Sequence, residues 1–556
     1  MPDPTPVPPP VLPCVVQVGF AGSRDLLGAA KESIGPPHLL LAEVEQYLVK
    51  TLSTLPVKLN LKTHHFLCGI SQIAIGADTL FTRACRESQI PQRIFLPQNC
   101  AAYLTAIGSK GEPDFSTEER RIAETLLGSP HIIQERVVSD SPDRTEWFKD
   151  CNREILRVSD VILCLLRADA AGQPGGTSEL LELAKSRGKP ALEIRVTLKK
   201  VGALSVAEQW HGLQYFRPPT LPSAVAHLAA PAMPGGIGFP RVAEFCGVVK
   251  THASREAKRL RNRFGQAALI IIGTHIVATL CATLALSSHR SHDMSIPQTQ
   301  SQPLPVWTLA LLGLELGLLV SGFGVHTWLH RKHPSKLWAL ARLLAEINRS
   351  VRALGGFHFY PAYLFQLRLP SELRPLLRTV NILHLQSTRS SRAVPWQTHC
   401  AEYVQNRLTN PDPKIGQIAY YNYRCRREER WLRISNLMFL ACSSMAIVST
   451  AAKFCVLSAE KHIPEGWSSS SAGILGTLAV FLPVLAVGAL SWSAAQDYEA
   501  RVHTFGEMAE YLETQVKEFE RATSAREFAR LVDETEARLL GETAEWYSRR
   551  TFTGVN

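Results

Sequence analysis

The chain has no Cys-x-x-Cys pair and no close Cys/His cluster; its twelve cysteines are scattered through 556 residues. That argues against a zinc site or a disulfide framework and for reduced thiols. At its start it has no basic region followed by an apolar core. Residues 2–13 are proline-rich instead, so no secretory signal is expected there and residues 1–13 read as a disordered lead-in. Acid is in short supply, with 49 Asp and Glu against 60 Lys and Arg and a net charge of +11. Such an excess suits nucleic acid or anionic lipid, and its placement separates the two. Arg255, Lys258, Arg259, Arg261 and Arg263, then Arg424, Arg426, Arg427, Arg430 and Arg433, stand just before long apolar runs. This is a pattern of membrane topology, so no nucleic-acid partner is expected.

The most telling scarcity is of charge within the second half. Residues 264–286 contain no acid, lysine or arginine, and about 20 such residues cross a bilayer core. Residues 305–329, 435–457 and 472–494 are similar, with Glu315 and Lys453 as exceptions. Loops 287–304 and 458–471 are short and poor in strong base. The spacing therefore predicts four transmembrane helices in two hairpins, with the N- and C-termini in the cytoplasm of a cell bounded by this (inner) membrane. Each hairpin follows a basic helix and precedes an amphipathic one, near 337–354 and 498–519, as an internal repeat would. His275 and Glu315 are expected at similar depth, as a hydrogen-bonded pair or as a cation-preferring pore position. Gly313, Gly317 and Ser321 form a small-residue stripe suited to helix packing. Pro483 is central in the last run and is expected to pack or kink there.

The first half alternates strands and helices. A valine-rich strand from Cys14 ends in Gly19-Phe-Ala-Gly-Ser-Arg-Asp25, where glycine allows close backbone approach, Ser23 offers a hydroxyl and Arg24 a bidentate anion donor. A second strand leads to Gly76-Ala-Asp78 at a helix start, where Asp78 serves either a ligand or a plain N-cap. The apolar strand Asp160-Val-Ile-Leu-Cys-Leu-Leu-Arg167 runs into Gly172-Gln-Pro-Gly-Gly-Thr-Ser-Glu179. Parallel strands with such loops at their carboxyl ends predict an α/β doubly wound parallel sheet over 14–200, with a phosphate-friendly crevice at that end. From Leu204 the pattern decays, and 201–250 reads as a linker. The remaining divisions are 251–354 for the first hairpin with its helix, 355–413 for a cytosolic connector that packs under the membrane, and 414–556 for the second hairpin with its C-terminal helices.

The loops Gly-x-x-Gly-Ser-Arg, Gly-Ala-Asp and Pro-Gly-Gly-Thr-x-Glu, in this order, resemble the Rossmann-like SLOG superfamily over residues 15–196. Gln417-Ile-Ala-Tyr-Tyr-Asn-Tyr-Arg424 and Leu539-Leu-Gly-Glu-Thr-Ala-Glu-Trp546 resemble SLATT domains, two-helix membrane modules found beside nucleotide-signalling enzymes. The resemblance implies that Gly22, Ser23, Arg24, Gly76, Ala77, Asp78, Gly175, Gly176, Thr177 and Glu179 surround a nucleotide-derived ligand, of the ADP-ribose/NAD type or a cyclic nucleotide, with no other cofactor. It also implies a homo-oligomeric pore-forming effector, served by an enzyme that makes the signal and acting in anti-phage defence. The third loop is shorter than in the hydrolytic LOG enzymes of that superfamily. A membrane-anchored nucleotide hydrolase using Glu179 is the alternative, and a non-conducting scaffold a third.

Overall fold

The computed structural model describes residues 12–26, 37–107, 112–169, 175–198, 204–229, 241–293, 306–389, 394–458 and 465–552. The proline-rich lead-in, Gly172 to Pro174 and parts of both loops joining the paired apolar runs lie outside these. Two units are formed, Met1–Val248 with Gly356–Pro395, and Val249–Gly355 with Trp396–Asn556.

The first unit is built on a sheet whose strands are β1 Cys14–Gly22, β2 His65–Ser71, β3 Gln92–Leu96, β4 Ile132–Val137, β5 Val161–Arg167, β6 Ala191–Leu198 and β7 Leu204–His211. Their order is β4-β3-β2-β1-β5-β6-β7. β1 to β6 pair in parallel. The continuous apolar sequence of β5 follows from burial on both faces. Val161, Leu163 and Leu165 pack with Leu48, Leu52 and Leu55 of helix Pro37–Lys58 and Phe81 of helix Ala77–Glu87. Ile162, Cys164 and Leu166 pack with Ile155 and Leu156 of helix Arg144–Val158 and Leu180 and Leu181 of helix Thr177–Ser186.

Two expectations need correction. The sheet is mixed, because β7 lies in the segment read as linker and runs antiparallel to β6. Its alternation is broken at Glu208, between Val206 and Trp210, which pack against the core. Glu208 is accommodated there by Lys58 at 2.8 Å and by the Tyr47 hydroxyl, which donates to it. Helix Ser223–Ala229 follows in the same segment. The connector 355–413 is divided between the units. Helix Arg374–Thr388 packs on β1 and β4, burying Ile382 and Leu385 with Val15, Cys68 and Ile133. Arg378 donates to Asp160 at 2.5 Å, and the same carboxylate accepts the Gln17 N–H at 2.8 Å. Gly356–Pro395, which lies in sequence between the second and third apolar helices, is thus part of the α/β unit.

The second unit is helical. Helices Val242–Asp293, Val306–Lys332, Gln417–Ser458 and Glu465–Gln496 carry runs long and apolar enough to cross a membrane. Their outer faces expose large apolar side chains such as Phe323 at 71 % and Phe454 at 72 %, as a lipid-facing surface would. Gln417–Ser458 packs along Glu465–Gln496. Between Val242–Asp293 and Val306–Lys332, a Cβ on Gly322 would come within 2.8 Å of the Thr274 hydroxyl. Val306–Lys332 and Glu465–Gln496 end alike. One left-handed non-glycine residue, His333 (φ 44) or Asp497 (φ 55), breaks the helix. A new helix starts at once, Pro334–Ala353 or Tyr498–Arg521. Proline at the first helical position suits the first of these breaks, since its missing N–H has no partner to lose.

Candidate functional site

The loops nominated by sequence meet at the carboxyl ends of β1, β2 and β5. The Ser23 N–H donates to the Leu165 carbonyl at 2.9 Å, joining β1 to β5, and the Arg167 N–H reaches the Ser23 hydroxyl at 3.3 Å. The Ala77 N–H donates to the Ser23 carbonyl at 3.2 Å, joining the first loop to the second. Glycine is required at this junction. A Cβ on Gly22 would lie 2.1 Å from that of Ala77, and one on Gly76, held at φ +87, would lie 2.1 Å from the Arg24 carbonyl oxygen.

Asp78 is buried beneath this junction. It is not the N-cap, since it lies one residue inside the helix that starts at Ala77. Burial pushes its carboxyl up to about 7, against the opposing pull of the Ala74 and Gly22 N–H groups and the Arg24 charge. Near neutral pH the group therefore exchanges between acceptor-only and donor forms. Its Oδ1 has no hydrogen-bond partner among the described residues, and neither has Gln72 Oε1. Burial also raises the Tyr103 hydroxyl, whose charge state responds to Arg24 and Asp78.

The third loop is tied in through a residue that sequence reading missed. Asn152, 1 % exposed, donates through Nδ2 to the Gly175 carbonyl at 2.8 Å and the Gly176 carbonyl at 3.3 Å. Its Oδ1 accepts from Gln72 Nε2 at 3.4 Å, which links β2 to the glycine loop. Gly175 sits at φ 76, Gly176 precedes the helix, and Thr177 is its buried first residue. Glu179 accepts the Gly175 N–H at 2.7 Å and so closes its own loop.

At the mouth two cations share one acid. Arg24 lies 3.8 Å from Asp114, and Arg144 pairs with the same carboxylate. Arg144 also donates to the Ile107 carbonyl. Burial and the neighbouring Arg24 lower the Arg144 pKa. The Arg24 guanidinium stands 4.9 Å from the centre of the Phe148 ring. Two converging guanidiniums can bind a phosphate in a bidentate way, with the glycine-rich helix start supplying N–H groups. Neither Asp114 nor Asn152 belongs to a loop motif, so no local signal marked them.

The residues nominated in the apolar helices are not brought together. Glu315 is half-buried, on the less exposed stripe of its helix that includes Thr308, Leu311, Leu318 and Gly322, whereas His275 is exposed. No hydrogen bond or ion pair among the described residues joins them, and Thr274, one position earlier, is the residue turned toward the neighbouring helix. Nothing among the described residues stands within 4 Å of a Cβ placed on Gly313 or Gly317, so these two glycines have no packing partner there.

No family model, curated protein or solved structure matches this chain.

Proposed function

We propose that the chain is a nucleotide-controlled membrane effector. On this reading the first unit is a SLOG-like, doubly wound sensor, with Gly22, Ser23, Arg24, Gly76, Ala77, Asp78, Gly175, Gly176 and Thr177 around a ligand of the ADP-ribose/NAD or cyclic-nucleotide class. The apolar helices pair as two SLATT-like hairpins in the inner membrane, with both termini cytoplasmic. A homo-oligomer of them opens or assembles a pore when the ligand, made by a partner enzyme, binds, and the resulting loss of ion gradients serves anti-phage defence. The carrying observation is the convergence of three strand-end loops on one polar cluster whose two arginines hold an internal carboxylate, in a chain with four candidate membrane helices.

Asp114 occupies the position of a phosphate, and an incoming ligand anion displaces it. The segment Gly356–Pro395, which belongs to the sensor unit yet lies between the two pairs in sequence, gives a direct covalent route for transmission. The ligand shifts the equilibrium by as much as it favours the conducting arrangement over the resting one, and no further. The anchored-hydrolase reading is less favoured because the Glu179 carboxylate is engaged by its own loop.

The test is ion flux from liposomes carrying the full chain, with a panel of adenine nucleotides and ADP-ribose on the sensor side. One ligand should trigger flux, and Arg24→Ala or Thr177→Ala should abolish it. Absence of flux from correctly oriented oligomers, with nucleotide turnover in the same samples, would replace this reading with the hydrolase.

A further inference from the structure

Three arginines surround one pair of tryptophans in the second unit. Trp338, early in helix Pro334–Ala353, and Trp546, late in helix Ala525–Phe552, meet edge to face with centroids 4.8 Å apart. The Arg342, Arg550 and Arg501 guanidiniums lie 5.0, 5.9 and 6.0 Å from the centre of the Trp546 ring, and Arg501 lies 5.6 Å from that of Trp338. Two of the three have carboxylate partners. Arg342 pairs with Glu542 at 3.2 Å and Arg550 with Asp497. Arg501 is 5 % exposed, and its Nε, Nη1 and Nη2 are buried with no hydrogen-bond partner among the described residues.

The other unsatisfied groups beside it are three donors, Arg550 Nε, Trp546 Nε1 and Arg424 Nε, and one acceptor, Glu428 Oε1. Glu428, the acid whose field reaches Arg501, is already paired with Arg424 at 2.8 Å. A buried charge without a counter-ion is strongly destabilising, and packing on aromatic faces offsets part of that cost. Several converging N–H donors with one uncompensated positive charge are matched by an oxyanion, which accepts from many of them at once. The cluster also lies where apolar runs give way to polar helices. Arg501 follows Gln496, the end of the fourth apolar helix, by little more than a turn, and Phe264, which opens the first apolar run, lies 5.4 Å from Arg550. Acidic lipid head groups are recognised by basic pockets at that level.

We propose that this cluster binds a phosphate-class oxyanion, with Arg501 as the central ligand and Trp546 and Arg424 as flanking donors. The anion is the head group of an acidic phospholipid or free phosphate. The site is separate from the nucleotide crevice and does not depend on it.

The experiment is thermal unfolding of the full chain in uncharged detergent and chloride buffer, with inorganic phosphate, phosphatidylglycerol or phosphatidylcholine added. The midpoint should rise by about 4 °C with phosphatidylglycerol or phosphate and stay fixed with phosphatidylcholine. A response to phosphatidylglycerol alone assigns the head group, and one to inorganic phosphate as well assigns the free ion. Arg501→Met should lose the response. Arg501→Lys, which keeps the charge without the planar fork, should need roughly tenfold more ligand. No response in the unaltered chain, or a full response retained by Arg501→Met, overturns the proposal. Should both variants fail to fold, Trp546→Phe, which keeps an aromatic ring and removes one flanking donor, decides: a weakened response supports the site and an unchanged one refutes it.

Discussion

Two buried acids, Glu346 in the helical unit and Asp78 in the α/β unit, are held in opposite ways. In the helical unit Arg407, with a side chain 2 % exposed, meets Glu536 through Nε and Nη2 at 2.8 Å each and Glu346 through Nη2 at 2.9 Å. Tyr403 adds a hydrogen bond to Glu536 at 2.8 Å. Burial works against the Glu346 charge, but Arg349 and Arg407 overcome it and hold the carboxyl at about 2. In the α/β unit Asp78 is buried with no ion pair among the described residues, and its carboxyl rises to about 7. Paired burial fixes a charge and with it a helix arrangement. Unpaired burial leaves a group whose proton and partner can change, which suits a ligand crevice.

Arg407→Ala should cost about 3–5 kcal/mol by stranding Glu536 and Glu346. Chemical denaturation in detergent reads this, and an unchanged midpoint would show that the network contributes nothing. Gly76→Ala should cost about 3 kcal/mol, combining a left-handed backbone with a clash on the Arg24 carbonyl; a variant of normal stability would mean that the two loops are not interlocked.

Asp78 predicts a pH dependence. Its folded pKa lies above the unfolded one, so its contribution is fully present below about pH 4 and is lost as pH rises through about 7. The slope between these limits reaches about 1.4 kcal/mol per pH unit. Asp78→Asn should flatten the stability profile in that window, and a profile identical to that of the unaltered chain would remove the contrast with Glu346. At the mouth, calorimetry with ADP-ribose should show roughly tenfold weaker binding for Arg144→Ala and tighter binding for Asp114→Asn, equivalent to about 1.4 kcal/mol. Equal affinities would refute the shared phosphate subsite. The smallest effect is expected at Gly317→Leu. It should change stability by no more than about 0.5 kcal/mol, since no neighbour is near, while lowering the cross-linked oligomer yield if the stripe packs between copies.

Much of the architecture was legible because its causes are local. The β5 run reads as a strand from seven successive residues, and its burial on both faces explains why the pattern is continuous. The apolar helices read from length and missing charge alone. β7 was not legible, because Glu208 interrupts its inward face and is tolerated through Lys58 and Tyr47, far away in sequence. The docking of Arg374–Thr388 was hidden for the same reason, since Ile382 and Leu385 are ordinary apolar residues until Val15, Cys68 and Ile133 meet them.

For the site, the residue order determined which loops lie at strand ends and that Gly22, Gly76 and Gly175 stand there, since turn chemistry is written in consecutive residues. Tertiary structure decided the rest. It set Asn152 as the clamp on the glycine loop, Asp114 as the acid between Arg24 and Arg144, and Thr274 in place of His275 as the residue facing the next helix. Each of these depends on a distance between residues remote in the chain. Electrostatics and packing act through such distances, and sequence spacing does not encode them.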